Sequence, residues 1–454
     1  MVMQNVAPYI DAEPVGEEVN PSEAVQPSLA CKPHVPWIIS VLLAAAVFLA
    51  PYVAFKMSIV FITPSDILLC LTAIAIGVHG KIILRNVGGV APVWLTTFLI
   101  MIGGLLIGSV INGDTLEWVQ IALQYFFAYI FVPFLLIMIA NDASIYLVAK
   151  SAIAGVFTME AVGGLLYYLI PSAHTKLNFI CFNFISGAGR LGAFTDNANW
   201  NGAMIAMALP LVYYLRSTNR LGIVPTVIAI ATLLMGLMLT ASNTGIISTL
   251  AGALIFCLVA RVGPRPSILI LVAAITVGVM TSDGFTLPQA FNKRVAGAME
   301  SGDIDEAGTF VGRMKLIEEA WNVVERTPVI GLGANQYRVK SIYGAPVHNT
   351  YLLLWAEGGL ASLLGWVGML LVLAAASLNA LLRDRFRGAL GLSVLSVFLV
   401  NTNCTPHMYA RIWCVPLAAA MAIVLIEPKR QARRRQEDQP PTELLGDLGQ
   451  QPAG

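Results

Sequence analysis

Three arginines and two histidines offer chemistry outside the apolar runs of this sequence: Arg190 in GRLGAFTDNANWNG, Arg313 in GRMKLIEEAW, His348 beside Asn349 in VHNTYLLLW, and His407 and Arg411 in PHMYAR. A guanidinium presents planar charged donors that suit phosphate, each such hydrogen bond contributing about 1.5–3 kcal/mol. An imidazole accepts a proton near neutral pH. Cations with an imidazole suit a substrate that is itself an anion, such as a diphosphate, without a metal or other cofactor. Single residues allow plainer readings. Arg190 can snorkel to lipid headgroups and Asn199 can cap a helix. Arg313 can bend its stem outward, and an interfacial histidine is often structural.

Further polar residues lie nearby. Glu357 stands about two and a half helical turns beyond His348, and a carboxylate within a membrane span is a functional hypothesis by default. Arg411 is a candidate partner for Glu357, or a further cation of the site. His407 and Arg411 are four residues apart, which on one helix would place them on one face. Glu160 is a second acid inside an apolar run.

The elements that position these groups are membrane helices. The chain is 57% hydrophobic and 12% charged, against roughly 25% charged in soluble domains. A bilayer core needs about 20 apolar helical residues. Twelve spans are expected, near 37–55, 60–79, 93–111, 117–140, 145–170, 199–215, 222–240, 243–260, 267–282, 350–378, 388–402 and 408–426. Lys/Arg fall in alternate short loops (Lys81 and Arg85; Arg216 and Arg220; Arg261 and Arg265; Arg383, Arg385 and Arg387) and in the final KRQARRR. By the positive-inside rule those loops and both termini face the cytoplasm. The expected organisation is a disordered cytoplasmic tail over 1–35, a membrane domain over 36–427 and a basic disordered tail over 428–454.

Two long segments, 171–198 and 283–349, are then exterior. Within the second, Leu316, Ile317, Ala320, Trp321 and Val324 share one arc of a helix, and charged residues take the other. This amphipathic helix should lie on the membrane surface or over the bundle, with Arg313 projecting from its apolar arc. Net charge is +1, which argues against a nucleic-acid partner. The six cysteines show no metal-ligand spacing, and pairing of Cys181 with Cys404 stays open.

Taken together, GRLGAFTDNANWNG, TASNTG, GRMKLIEEAWNVVERTPVIGLGANQY and HNTYLLLWAEGGL resemble the O-antigen ligase and Wzy-type polysaccharide polymerase superfamily. An RxG-plus-Asn segment, a P-x-x-G-x-G and a His-Asn followed by Gly359 occur in that family's order, and TPSD at the second span is also similar. One departure is ASNTG, where many members carry Ser-Arg-Gly, so no catalytic role falls on that turn. The resemblance implies an all-α, GT-C-like membrane protein of the bacterial inner membrane, working on its periplasmic face. It implies a metal-independent inverting glycosyltransferase that uses an undecaprenyl-diphosphate-linked glycan as donor and a glycan or lipid A–core as acceptor. Further polysaccharide-assembly proteins are implied as partners. By carry-over, Arg190 and Arg313 would hold the diphosphate and His348 would activate the acceptor hydroxyl. Asn199, Asn349, Arg338, Glu357, His407 and Arg411 would contact substrate in supporting roles.

Polymerase and ligase share this donor chemistry and are not separable by sequence. A transporter or flippase for a polysaccharide precursor is the different-class alternative, which would place charged or broken helices near the membrane midplane.

Overall fold

Long apolar stretches leave a helix as the only economical backbone, because each N–H and C=O is satisfied within the segment. The computed structural model bears this out, describing residues 36–57, 62–79, 89–139, 142–170, 183–186, 189–261, 291 and 310–425. Those residues belong to one compact unit, Pro36–Gly454, and form helices without a named strand. The bundle begins with α1 (Trp37–Phe48), α2 (Pro64–Val78) and α3 (Val90–Asn112). It continues through α4 (Thr115–Phe126), a π turn (Phe127–Phe131), α5 (Val132–Ile139) and α6 (Asp142–Leu169). Next come α7 (Ala198–Ser217), α8 (Ile223–Thr240) and α9 (Asn243–Ala260). Then follow α10 (Phe310–Arg326), α11 (Gln336–Lys340), α12 (Thr350–Arg383), α13 (Arg385–Thr402) and α14 (Arg411–Leu425).

Each expected span except 267–282, which lies outside the described residues, overlaps a helix, although α1 ends at Phe48 and α14 starts only at Arg411. Among the described residues six helices are long and apolar enough to cross a membrane, including Val90–Asn112, Ser144–Leu169 and Thr350–Arg383. Helix α7 is buried nearly all round, from Asn201 to Leu215, so it forms the centre of the bundle rather than its lipid-facing wall. The expected tails, the residues near Lys81 and Arg85, and Cys181 also lie outside the described residues; Cys404 carries a free thiol.

Contacts orient the bundle. Gly202 of α7 meets Ser242 and Gly245 of α9, and Pro210 of α7 meets Gly252, so these helices run parallel. Near its far end Tyr214 lies within electrostatic reach of Arg387 and Asp384 at the start of α13, so α13 runs the other way. The starts of α7, α9, α12 and α14 and the end of α13 therefore share one end of the bundle. The opposite end collects Arg216, Arg220, Arg261, Arg383, Arg385 and Arg387, with the Arg220 guanidinium 4.3 Å over the Tyr146 ring.

Helix α10 buries Leu316, Ala320 and Val324 against Tyr337, Val347, Leu352, Leu353 and Ala356. The amphipathic arc thus packs over the start of α12, where apolar area leaves water. Trp321, on the same apolar arc, is 49% exposed. Its ring meets Trp355 edge-on at 5.9 Å while its Nε1 donates to Glu325 Oε1 at 2.7 Å.

Candidate functional site

Arg190 sits in a tight reversal closed by the bridge between Ile185 and Leu191. Its Nε donates to the Thr240 carbonyl at 2.8 Å and its Nη2 to Asn199 Oδ1 at 2.6 Å. Ser242, which caps α9 through the Gly245 N–H, also donates to Asn199 Oδ1, at 3.3 Å. The ASNTG turn, which sequence alone left without a role, therefore helps to aim this guanidinium. Its only sequence signal was an N-cap serine with helix-start geometry. The cap of α7 is Asn197, accepting from Asn199 and Trp200 N–H groups, not Asn199. The Asn199 side chain is thereby free to take the arginine.

His348 and Asn349 form the entry to α12. Asn349 Oδ1 caps the helix by accepting the Leu352 N–H at 3.0 Å, and its Nδ2 donates to Asn403 Oδ1 at 3.4 Å. This capping role fixes the backbone from which the half-buried His348 projects. Burial, and then the positive charge of Arg313, push the His348 imidazole below its ordinary value of 6.5. Arg313 is half-buried on α10 and acts electrostatically on His348, so these two sequence candidates are brought together.

Arg411 has a different partner from the one expected. Its Nε donates to Asp66 Oδ1, and its guanidinium lies 4.8 Å from the Phe127 ring centre. Asp66 closes a capping box at the start of α2, its Oδ2 accepting the Thr63 N–H at 2.8 Å and the Thr63 hydroxyl at 2.9 Å. The TPSD motif is thus the socket for Arg411, and Glu357 is not. Nor do His407 and Arg411 share a helix face, because α14 starts only at Arg411. Residues 403–410 leave the helix to cross to α12 and the π turn, where Thr405 O accepts the Thr350 hydroxyl and Met408 O the Tyr129 hydroxyl. His407 stacks on Tyr409 at 5.1 Å, and burial drives its imidazole down to about 4.

Glu357 is 1% exposed and serves the P-x-x-G-x-G loop, its Oε1 accepting the Tyr337 N–H at 3.3 Å. Beside it α12 is broken at Gly359, whose φ of 66° and ψ of −168° are essentially glycine-only. The loop fills the break. Leu332 N–H donates to Ala356 O at 2.9 Å, Gly333 N–H to Glu357 O at 2.8 Å, and Leu360 N–H to Pro328 O at 3.1 Å. Gly331 and Gly359 permit this approach, since a Cβ on either would overlap the facing backbone. Further ties run to α3 and α4: Asn112 Nδ2 to Gly331 O at 3.0 Å, Ala334 N–H to Ser109 Oγ at 2.9 Å, and Asn335 Nδ2 to Glu117 Oε2 at 3.0 Å. Arg338, on α11, is exposed.

The structure therefore gathers Arg190 with Asn199, and Arg313 with His348, at one end of the bundle. It assigns Asn349, Glu357 and Arg411 to holding that end together. An Asp303–Ile304–Asp305 triplet, of the D-x-D type that can bind a metal, lies outside the described residues. The metal-free reading of the chemistry thus draws on Arg190 with Asn199 and on Arg313 with His348.

A family model described as O-antigen ligase matches residues 228–367. The matched stretch contains Arg313, the P-x-x-G-x-G loop, His348, Asn349, Glu357 and Gly359. Arg190 and Asn199 precede it, and His407 and Arg411 follow it. No curated protein matches the chain.

Proposed function

We propose, from the O-antigen ligase family model that matches residues 228–367 and the resemblance to the O-antigen ligase and Wzy-type polymerase superfamily, that the chain transfers a glycan from an undecaprenyl-diphosphate carrier to an acceptor sugar. A role in surface polysaccharide assembly goes with that domain, and several apolar helices make the chain a multi-pass membrane protein. The donor, the reaction and its sidedness are our reading. The observation that carries it is the placement of Arg190 and of the Arg313–His348 pair at the bundle end opposite Arg216, Arg220, Arg383, Arg385 and Arg387. By the positive-inside rule the arginine-rich end is cytoplasmic and the site faces the periplasm of the inner membrane.

In this mechanism the carrier's lipid stays in the bilayer while its diphosphate rests at the bundle end. The two guanidiniums stabilise negative charge as it grows on the departing diphosphate, which lowers the barrier rather than merely tightening binding. Neutral His348 takes the proton of the acceptor hydroxyl as that oxygen attacks the anomeric carbon from the face opposite the leaving group. The new glycosidic bond forms as the carbon–phosphate oxygen bond breaks, with inversion. No metal is required by this scheme.

A transporter would also show broken helices and buried acids, and α12 has both at Gly359 and Glu357. Here the break is bridged by loop backbone and the acid takes a backbone N–H, which suits a fixed scaffold better than a moving one. The experiment is to incubate purified protein with a diphosphate-linked glycan and acceptor, in chelator, and to look for a new glycosidic bond. Substrate crossing vesicles without bond formation would support transport instead.

A further inference from the structure

Glu160 lies in α6 with 2% of its surface exposed, and neither carboxyl oxygen has a hydrogen-bond partner among the described residues. A buried acid without a partner is costly, so its presence in the bundle calls for a reason. The surroundings are built to admit it. On α8, Gly236 faces the carboxyl so closely that a Cβ there would overlap Glu160 Oε2. On α7, the wholly buried Asn201 amide lies beside it. Tyr52 is within electrostatic reach.

Asn201 leads outward to the site. Its Nδ2 donates to the Leu191 carbonyl at 3.3 Å, and the Leu191 N–H donates to the Leu239 carbonyl at 2.9 Å. Leu191 is the neighbour of Arg190, and Leu239 the neighbour of Thr240, whose carbonyl takes Arg190 Nε. From α6 the Tyr167 hydroxyl donates to the Gly189 carbonyl at 3.1 Å, so the three helices around Glu160 hold the backbone on either side of the arginine. The Asn201 amide thus lies between the Glu160 carboxyl beside it and the Leu191 carbonyl that takes its Nδ2, with a polar neighbour on each side to bias how it turns.

We infer that Glu160 is a positioning residue for Arg190, acting from inside the bundle through the Asn201 amide and the Leu191 carbonyl. The inference rests on the reading of Arg190 as a diphosphate ligand. A neutral polar group of the same shape does this work, and an apolar one does not.

The test measures donor and acceptor KM and kcat for purified wild type, Glu160→Gln, Glu160→Ala, Glu160→Leu, Arg190→Lys, Arg190→Ala and the Glu160→Ala/Arg190→Lys double variant. The Leu variant keeps apolar bulk in the bundle, so a folded protein lacking the polar end is present even where Ala disturbs folding. Loss of the polar end should raise donor KM about tenfold, acceptor KM staying put. Glu160→Gln should restore wild-type donor KM, and Glu160→Ala should add little in the Arg190→Lys background, as coupled residues do. Wild-type kinetics in the Ala and Leu variants, equal damage from Gln, or fully multiplicative losses in the double variant would each overturn the inference. An active Arg190→Ala enzyme would instead overturn the diphosphate reading beneath it.

Discussion

The Glu357 carbonyl accepts the Gly333 N–H at 2.8 Å, so a backbone amide from the loop before α11 occupies a place that the broken helix α12 leaves open. The glycines of the P-x-x-G-x-G and the Gly359 that follows His-Asn are thus two halves of one joint. The joint sets the path of the chain from Arg313 on α10 to His348 at the start of α12.

Gly359→Ala should break that joint. Alanine at this backbone conformation costs about 1–3 kcal/mol, and its methyl would overlap the Val329 carbonyl. Thermal unfolding in detergent should fall by several degrees, with activity lost alongside. An unchanged melting curve would show that the loop gives way freely.

Arg190→Ala, Arg313→Ala and His348→Ala should each abolish glycan transfer at unchanged membrane levels. Each guanidinium loss removes charge-assisted hydrogen bonds worth about 1.5–3 kcal/mol apiece, and more in a transition state that gathers charge. Immunoblots of membranes beside product gels would check this. Full activity of Arg313→Ala would remove that residue from the site.

The pH dependence follows from the lowered His348 value. A base works in its neutral form, which for a lowered pKa persists as pH falls below 6.5. The acidic limb of kcat/KM should accordingly lie below pH 6.5. Residual activity of Arg313→Gln should show that limb moved upward, because the neighbouring positive charge has gone. A limb that stays fixed would mean that Arg313 does not act on the imidazole.

The Arg411–Asp66 pair predicts a loss of stability from either end. Removing one member leaves an uncompensated charge at a largely buried place, costing about 3–5 kcal/mol. Arg411→Met and Asp66→Asn should each lower the melting temperature and the amount of protein in membranes, and the double variant should recover part of both. If Arg411→Met alone keeps wild-type stability but loses transfer, the arginine serves substrate instead.

Read as a string, the residues determined the helical membrane architecture, the amphipathic α10 and the order of the motifs. Apolar length and periodicity are local properties, and a bilayer leaves the backbone little choice. Arg313 stood out because it projects from the apolar arc, but its association with His348 came from the way α10 packs over the start of α12. Tertiary structure alone decided who pairs with whom. Arg411 chose Asp66, 345 positions away, over Glu357 in the expected arrangement, and Arg190 chose Asn199 and Thr240. Such choices depend on which helix ends meet in space, which charge and spacing along a chain do not encode. His407 left the helix of Arg411 for the same reason: carbonyls of its segment are taken by hydroxyls of α12 and the π turn, contacts no local pattern announces.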